Sequence, residues 1–275
     1  MTESDIIDLA YKEDLPSGDL TVETLNVHNH FGEARLIAKE DQVVSGLAVF
    51  KKCLLHIDSS FEIKDFYKDG DFVLNKQQVL HIRGNLVHLL KAERVALNFL
   101  GHLSGIATLT RCFVEQVRHT KCKILDTRKT TPLLRDLEKM AVTHGGGVNH
   151  RRDLSDKMML KENHIALFGD ISAAIHQIRN RSRDFLEVEI ETLEQAKIVA
   201  SLPVTRVMLD NMTNEQIDEA VRILPKSIEI EASGNMNLER VRSVAELGVD
   251  FISVGKITHS APSGDYSLLF EWEKK

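Results

Sequence analysis

The sequence predicts an α/β protein in which a parallel α/β barrel follows a smaller α+β module. Three observations predict it. From Lys123 onward, apolar runs of strand length alternate with helix-like segments, the pattern of parallel strands joined by right-handed crossovers. Nearly every run ends in polar residues or glycine. An open sheet would gather them at one switch point, whereas polar ends on every strand place them all at one mouth, as in a barrel. Before Lys123 the chain reads differently, as short strands with few helices and one long helical stretch.

The elements follow in order. Residues 5 to 11 predict a short helix, and Glu13 to Asp19 a turn-rich connection around Pro16 and Gly18. Ala34–Ala38, Val43–Ala48, Phe61–Phe66 and Val79–Arg83 are β-like, punctuated by Asp69-Gly70 and Arg83-Gly84, with a helix over Val49–Ile57. A long helical stretch runs from Asn85 to Gly101 and on to His119. On a 3.6-residue wheel Leu86, Leu89, Leu90, Leu97 and Leu100 share one face. Glu93 falls inside that stripe and Arg94 at its edge, so each needs a partner: a salt bridge, or for Arg94 an anionic ligand, even across a subunit interface.

Strands are then predicted at Ile124-Leu125, Met158–Leu160, Phe185–Ile190, Arg206–Leu209, Ile228–Ile230 and Phe251–Val254. Helices are predicted at Leu133–His144, Ile171–Asn180, Leu193–Leu202, Asn214–Leu224 and Leu238–Leu247, with Pro132 suited to a first helical position. The segment Thr258 to Gly264 breaks the alternation, and Ser267–Trp272 reads as a last strand returning to the first module.

Composition narrows the function. At 43% hydrophobic and 28% charged residues, neither disorder nor a membrane class fits. No apolar run approaches the ~20 residues of a membrane span. A net charge of −6 leaves no cation excess for a general nucleic-acid binder. Cys53, Cys112 and Cys122 form no CxxC pair and read as reduced thiols. With an acidic start that lacks a signal-peptide core, a cytoplasmic location is expected.

The strand ends sort by charge. Arg128, Lys129, His150, Arg151 and Lys161, with Arg94 as a candidate, form a cationic set; Glu189, Asp210 and Glu231 form an acidic one. So many converging cations are stable only around a highly charged anion, and arginine offers bidentate geometry for carboxylates and phosphates. The acids suit a hydrated Mg²⁺ or ribose hydroxyls. Backbone N–H groups of Ser233-Gly234-Asn235 and Gly255-Lys256-Ile257 follow the last two barrel strands, where a phosphate cup is expected. No P-loop, GxGxxG, HExxH or zinc spacing occurs. The chemistry is therefore positioning and electrostatics on a phosphorylated, multiply anionic substrate.

With those residues assembled, the chain closely resembles the quinolinate phosphoribosyltransferases. The resemblance rests on Glu13-Asp14-Leu15 with Gly18-Asp19-Leu20-Thr21, Glu93 to Asn98, Leu103 to Thr108 and Asp126-Thr127-Arg128-Lys129-Thr130. It continues through Gly145-Gly146-Gly147 with Asn149-His150-Arg151, Lys161 to His164, Leu209-Asp210-Asn211, Glu231 to Asn235, and Val254-Gly255 with Thr258-His259-Ser260. The resemblance implies an incomplete, seven-stranded α/β barrel over residues 107–263. It also implies an N-terminal mixed α/β sandwich domain over residues 1–106, joined by 264–275.

The implied reaction transfers phosphoribosyl from phosphoribosyl pyrophosphate to quinolinate with Mg²⁺, giving nicotinate mononucleotide, pyrophosphate and CO₂ in NAD biosynthesis. On the same resemblance Arg128, His150, Arg151 and Lys161 hold the quinolinate carboxylates, Lys129 lies near the pyrophosphate, and Thr127 is a further substrate-binding residue. Glu189 and Asp210 serve the ribose and, through water or pyrophosphate, the metal; Lys129, Glu189 and Asp210 are the implied catalytic set. Ser233, Gly234, Asn235, Gly255, Lys256 and Ile257 hold the 5′-phosphate. The implied assembly is a homodimer or higher even oligomer, with Arg94 acting in the neighbour's site.

Two positions depart from common family patterns: Leu133, where many members have Gly, and Arg152-Asp153 after the His-Arg pair. A transferase acting on nicotinate or a related acid, relatives associated with molybdenum transport, and a non-catalytic phosphate-ligand sensor remain as alternatives. A sensor has no need of Glu189 and Asp210 opposite a cationic pocket.

Overall fold

The computed structural model describes residues 2–271. They fold as two compact units: Met1–Leu109, Thr131–Gly146 and Ser260–Lys275 in the first, Thr110–Thr130 and Gly147–His259 in the second.

In the first unit, α1 (Glu3–Asp14) starts at Thr2, whose hydroxyl accepts the Asp5 N–H while the Asp5 carboxylate accepts the Thr2 N–H. This reciprocal cap satisfies two orphan donors. The connection expected after it contains a further helix, α2 (Leu20–Leu25), capped by the Asp19 carboxylate. Strands β1 (Phe31–Ala38) and β2 (Gln42–Val43) lead to α3 (Leu47–Ile57), then β3 (Glu62–Asp65), β4 (Phe72–Val73) and β5 (Gln78–Asn85). The Val43–Ala48 strand expected from sequence is cut short because α3 begins at Leu47, its first N–H groups accepted by the Asp69 carboxylate.

Helix α4 (Leu86–Val117) is continuous over 32 residues. Its buried stripe runs through Leu86, Leu89, Ala96, Leu100, Leu103 and Ala107, while Leu90 is 41% exposed and leaves the stripe where the wheel had placed it. Gly101 and Gly105 lie one turn apart on this helix. A Cβ on Gly105 would stand 1.9 Å from the Pro262 carbonyl oxygen, and the Gly264 N–H donates to the Gly101 carbonyl at 2.9 Å. The pair thus makes room for the segment that broke the strand–helix alternation. That segment leads into the last strand, Tyr266–Glu271, which pairs antiparallel with β1 from Glu33↔Glu271 to Ala38↔Tyr266. Trp272, placed in that strand from sequence, lies outside the described residues. The sheet order is last strand, β1, β5, β3.

The second unit begins its sheet with β6 (Lys123–Leu125). Helix α5 (Arg135–His144) belongs to the first unit and starts later than expected, at Arg135. Leu133 sits at φ 71°, in the left-handed region that a helix cannot pass through, so Pro132 opens a turn instead. Leu133 is 65% exposed, and a glycine there loses little packing while removing the Cβ clash. Leu133→Gly is expected to stabilise the protein by about 0.5–1 kcal/mol, read as a raised denaturant midpoint with an unchanged slope.

Strand β7 (Met158–Leu160) and helices α6 (Glu162–Ala166) and α7 (Ile171–Arg179) follow. Then come β8 (Leu186–Ile190), α8 (Leu193–Val199), β9 (Arg206–Asp210), α9 (Asn214–Ile223), β10 (Glu229–Ser233), α10 (Leu238–Glu246), β11 (Phe251–Ser253), α11 (Lys256–His259) and β12, the Tyr266–Glu271 strand. The strands expected after Lys123 in this unit are all present, within three residues at their ends. The caps explain why the crossover helices start where they do: Asp170, Thr192, Thr213 and Asn237 each accept a first-turn N–H. Six parallel strands form the sheet in the order β6-β11-β10-β9-β8-β7. The first strand of the series, β6, pairs with the last, β11, and β6 and β7 stand at the two edges. Val148 adds a single parallel bridge to Leu125 on the other edge of β6.

Among the described residues no helix is long and apolar enough to cross a membrane. All three cysteines are free, and burial pushes the Cys53 and Cys122 thiols up to about 12, which leaves them unreactive.

Candidate active site

The site grows out of a period-two alternation in the parallel strands. Leu186, Val188, Ile190, Val207, Leu209, Ile230 and Ala232 form one buried apolar face. The residues between them, charged except for Met208, point to the other face. Strand register sets these in layers: Glu187, Arg206 and Glu229 deepest, then Glu189, Met208 and Glu231, then Asp210 beside Ser233 at the strand ends.

A cavity of about 390 Å³ opens at those ends. Thr127, Arg128 and Lys129 line it from the end of β6, His150 and Arg151 from the following loop, and Lys161 from the end of β7. Glu189, Asp210 and Ser233 line it as well, so nine of the predicted site residues share one cavity. Met159, Met208 and Ser253 also line it and escaped the sequence reading. The two methionines supply apolar surface suited to the face of a ring.

The cations are held under tension. Arg128 Nε is buried with no hydrogen-bond partner among the described residues. Burial and the neighbouring Arg128 charge push the Arg151 guanidinium below its usual range, because two cations converge where little water reaches them. An anion between them relieves both effects. Lys161 forms an ion pair with Glu189. Burial and the Glu189 charge push the Asp210 carboxyl upward, against the pull of Lys161 and Lys129.

Of the six residues in the two expected phosphate loops, Ser233 lines this cavity and the other five do not. Gly234 has φ +90°, and a Cβ there would meet Asn211 Oδ1 at 2.2 Å, so only glycine fits. Asn235 also has a positive φ and donates through Nδ2 to Asn211 Oδ1 at 3.2 Å. Gly255 lies against the Lys129 stem, and the Thr258 hydroxyl donates to the Lys129 carbonyl at 2.7 Å. The β6 and β11 ends are thereby tied together, which sets where Lys129 can reach. Lys256 is exposed and Ile257 is buried, so of these two only Lys256 can offer its side chain to a ligand.

Beneath the cavity lies a charge cluster the sequence reading left largely unseen. His150 Nε2 stands 3.1 Å from Glu187 and 3.5 Å from Glu231. Arg206 donates to Glu231 at 3.1 Å and to Glu229 at 2.8 Å, its guanidinium 3.9 Å above the Phe251 ring. His150, Glu187 and Glu231 are close enough to share a metal ion, but Arg206 already supplies the positive charge.

Two influences on His150 oppose each other. The carboxylates push its pKa up to about 9 against burial, whereas the Arg151 N–H, 2.7 Å from Nδ1, needs a lone pair there. An N–H facing an N–H at that distance is repulsive, so the ring proton stays on Nε2. Burial raises the Glu187 pKa, while at Glu231 burial is overcome by His150, Ser253 and Arg206, which lower it.

Arg94 belongs to the first unit, where it is exposed. Glu93 is half-buried, its pKa pushed up by burial with the Arg94 charge opposing. The salt bridge considered for this pair from sequence is not formed, and among the described residues neither side chain joins an ion pair.

A parallel sheet that converges cations and carboxylates at its strand ends defines an α/β protein built to bind a multiply anionic small molecule. The family model for the quinolinate phosphoribosyl transferase C-terminal domain matches residues 106–269, and that for the N-terminal domain matches residues 19–104. The chain is 39% identical over 261 residues to a probable nicotinate-nucleotide pyrophosphorylase [carboxylating] of Synechocystis, spanning 93% of this chain and 88% of that protein. The crystal structure of NadC from Streptococcus pyogenes superposes with a TM-score of 0.94 at 40% identity, covering 98% of this chain and 97% of that one. The nicotinate-nucleotide pyrophosphorylase of Ehrlichia chaffeensis gives 0.95 at 37% identity, covering 98% and 99%. The chain belongs to the quinolinate phosphoribosyltransferase family.

Proposed function

We propose that this chain transfers phosphoribosyl from phosphoribosyl pyrophosphate to quinolinate with loss of CO₂, giving nicotinate mononucleotide and pyrophosphate for NAD biosynthesis. The observation that carries the reading is the wall of Arg128, Arg151 and Lys161, with Arg128 Nε buried and unpartnered in a ring-sized cavity. Guanidinium groups there fit adjacent carboxylates in bidentate fashion. His150 supports that wall from below, through its bond to the Arg151 backbone, and Thr127 lies at its edge. Lys129 faces the pyrophosphate, and the loops at Ser233–Asn235 and Gly255–Ile257 take the 5′-phosphate.

Glu189 and Asp210 fit a hydrated Mg²⁺: they are oxygen donors close enough for the Glu189 charge to raise the Asp210 pKa, a repulsion that a cation removes. Bound through water or pyrophosphate, Mg²⁺ would offset the charge of the leaving group. Glu189 and Asp210 themselves face the ribose and stabilise the positive charge that develops as pyrophosphate departs.

The pairing of β6 with β11 and the Val148 bridge support reading the second unit as an incomplete seven-stranded barrel. The working assembly in this reading is a homodimer or higher even oligomer in the cytoplasm, with Arg94 entering the neighbour's pocket. The exposed, unpaired Arg94 supports that role.

The direct test follows carboxyl-labelled quinolinate with phosphoribosyl pyrophosphate and Mg²⁺. Equimolar CO₂, pyrophosphate and nicotinate mononucleotide are expected; consumption of nicotinate without CO₂ from quinolinate would overturn the reading. The shared site has its own test. Arg94→Ala and Lys161→Ala should each be inactive, and mixing them should recover part of the activity through hybrids that carry one intact site. Hybrids that form yet stay inactive would refute the role of Arg94 in trans.

A further inference from the structure

We propose that Glu231 and Glu187 are positioning residues for the substrate: they grip His150 through Nε2, so that the ring serves the cavity by fixing Arg151 and not by offering an N–H of its own. The inference rests on the reading of the cavity as a quinolinate seat.

The ring of His150 sits among protein groups, its Nε2 at ion-pair distance from two carboxylates although no hydrogen bond is completed there among the described residues. Its ring is 7% exposed, with Nε2 facing Glu187 at 3.1 Å and Glu231 at 3.5 Å. Nδ1 accepts the Arg151 N–H at 2.7 Å, and the His150 backbone N–H donates to Asp126 Oδ1 at 2.8 Å. Nδ1 is thus an acceptor, and Nε2 lies between Glu187 and Glu231. The ring holds the backbone of Arg151, whose guanidinium does line the cavity.

The grip is itself braced. Glu231 is completely buried and receives Arg206 Nη1 at 3.1 Å. Arg206 is pinned in turn by Glu229 at 2.8 Å and by the Phe251 ring at 3.9 Å. Bracing by Arg206 also offsets the Glu231 charge, which would otherwise oppose a dianion seated above it. Glu231→Gln keeps the size of the side chain but weakens its hold on both Nε2 and Arg206. In metal sites, partners that orient a ligand from behind account for about 10–100-fold in affinity or activity, and the lower end of that range is the expectation here.

Three measurements on the full-length protein test this. Glu231→Gln should raise KM for quinolinate about tenfold, with a smaller effect on kcat and none on KM for phosphoribosyl pyrophosphate. A lower melting temperature with unchanged KM for quinolinate would mean a purely structural role and overturn the proposal. His150→Gln, which can still donate an amide N–H toward the carboxylates, should recover part of the KM lost in His150→Ala. Equal losses in the two variants would count against the grip.

The wild type gives a readout that needs no variant. The ¹⁵N shifts of His150 should report a proton on Nε2 and a lone pair on Nδ1, and both should persist when quinolinate is added. A ring protonated on both nitrogens in the complex, or an N–H newly bonded to substrate, would overturn the proposal. CO₂ release by the wild type, measured alongside, separates failure of the positioning role from failure of the activity itself.

Discussion

Quinolinate should be used at least a hundredfold more efficiently than nicotinate, measured as kcat/KM at saturating phosphoribosyl pyrophosphate and Mg²⁺. The argument counts charges. Arg128, Arg151 and Lys161 share one cavity, and in the proposed assembly Arg94 of a second copy joins them. A dianion with adjacent carboxylates can engage all of these, whereas nicotinate leaves one carboxylate's worth of cation unpaired. The cavity already shows strain of this kind, in the unpartnered Arg128 Nε and the downward-shifted Arg151. Leaving a buried charge without its partner costs about 3–5 kcal/mol, roughly a 10²–10³-fold or greater preference. Lys161 discounts part of this, since it can fall back on Glu189 when no second carboxylate arrives; the arginines have no such refuge in the cavity. Comparable kcat/KM values for the two acids would show that this is not a dicarboxylate site.

How far the sequence foretold this site depends on where each residue sits. Arg128, Lys129, Lys161 and Asp210 were legible because they stand where an apolar run stops, and a polar residue at that point has few structural roles. Glu187 and Arg206 were not, because both lie inside or at the start of a strand and were absorbed into its apolar count. The signal was present in Leu186-Glu187-Val188-Glu189-Ile190 and in Glu229-Ile230-Glu231, a strict alternation that a strand buried on both faces by apolar neighbours does not show. It meant that one face of the parallel sheet is charged.

The long helix failed in a different way. Leu90 was placed in the buried stripe by wheel angle alone, but which residues are covered depends on what packs against the helix, and nothing in a wheel encodes that. Leu133 looked like a minor family departure until its φ of 71° explained both the common glycine and the late start of α5.

Asp210→Asn and Glu189→Gln should lower kcat more than they weaken quinolinate binding. Departure of pyrophosphate from the anomeric carbon builds positive charge on the ribose ring, and fixed carboxylates matter most at the moment that charge exists. Asp210 is placed for this by strand β9, whose end it forms, and by a hydrogen bond from Asn211 Nδ2 at 2.8 Å to Oδ2. Its half-buried setting strengthens any electrostatic contribution relative to water. Losing one such group costs on the order of 2–4 kcal/mol in the transition state.

Glu189 has a second task that separates the two variants. It forms an ion pair with Lys161, so Glu189→Gln also frees that lysine for the substrate carboxylate. Quinolinate binding in Glu189→Gln should therefore be as tight as in the wild type or tighter, even while kcat falls. Asp210→Asn releases no cation in this way and should leave quinolinate binding close to the wild-type value. Binding measured by titration calorimetry without phosphoribosyl pyrophosphate, set beside steady-state kcat, distinguishes these effects. An unchanged kcat with weaker quinolinate binding in either variant would contradict the assignment of these carboxylates to the transition state.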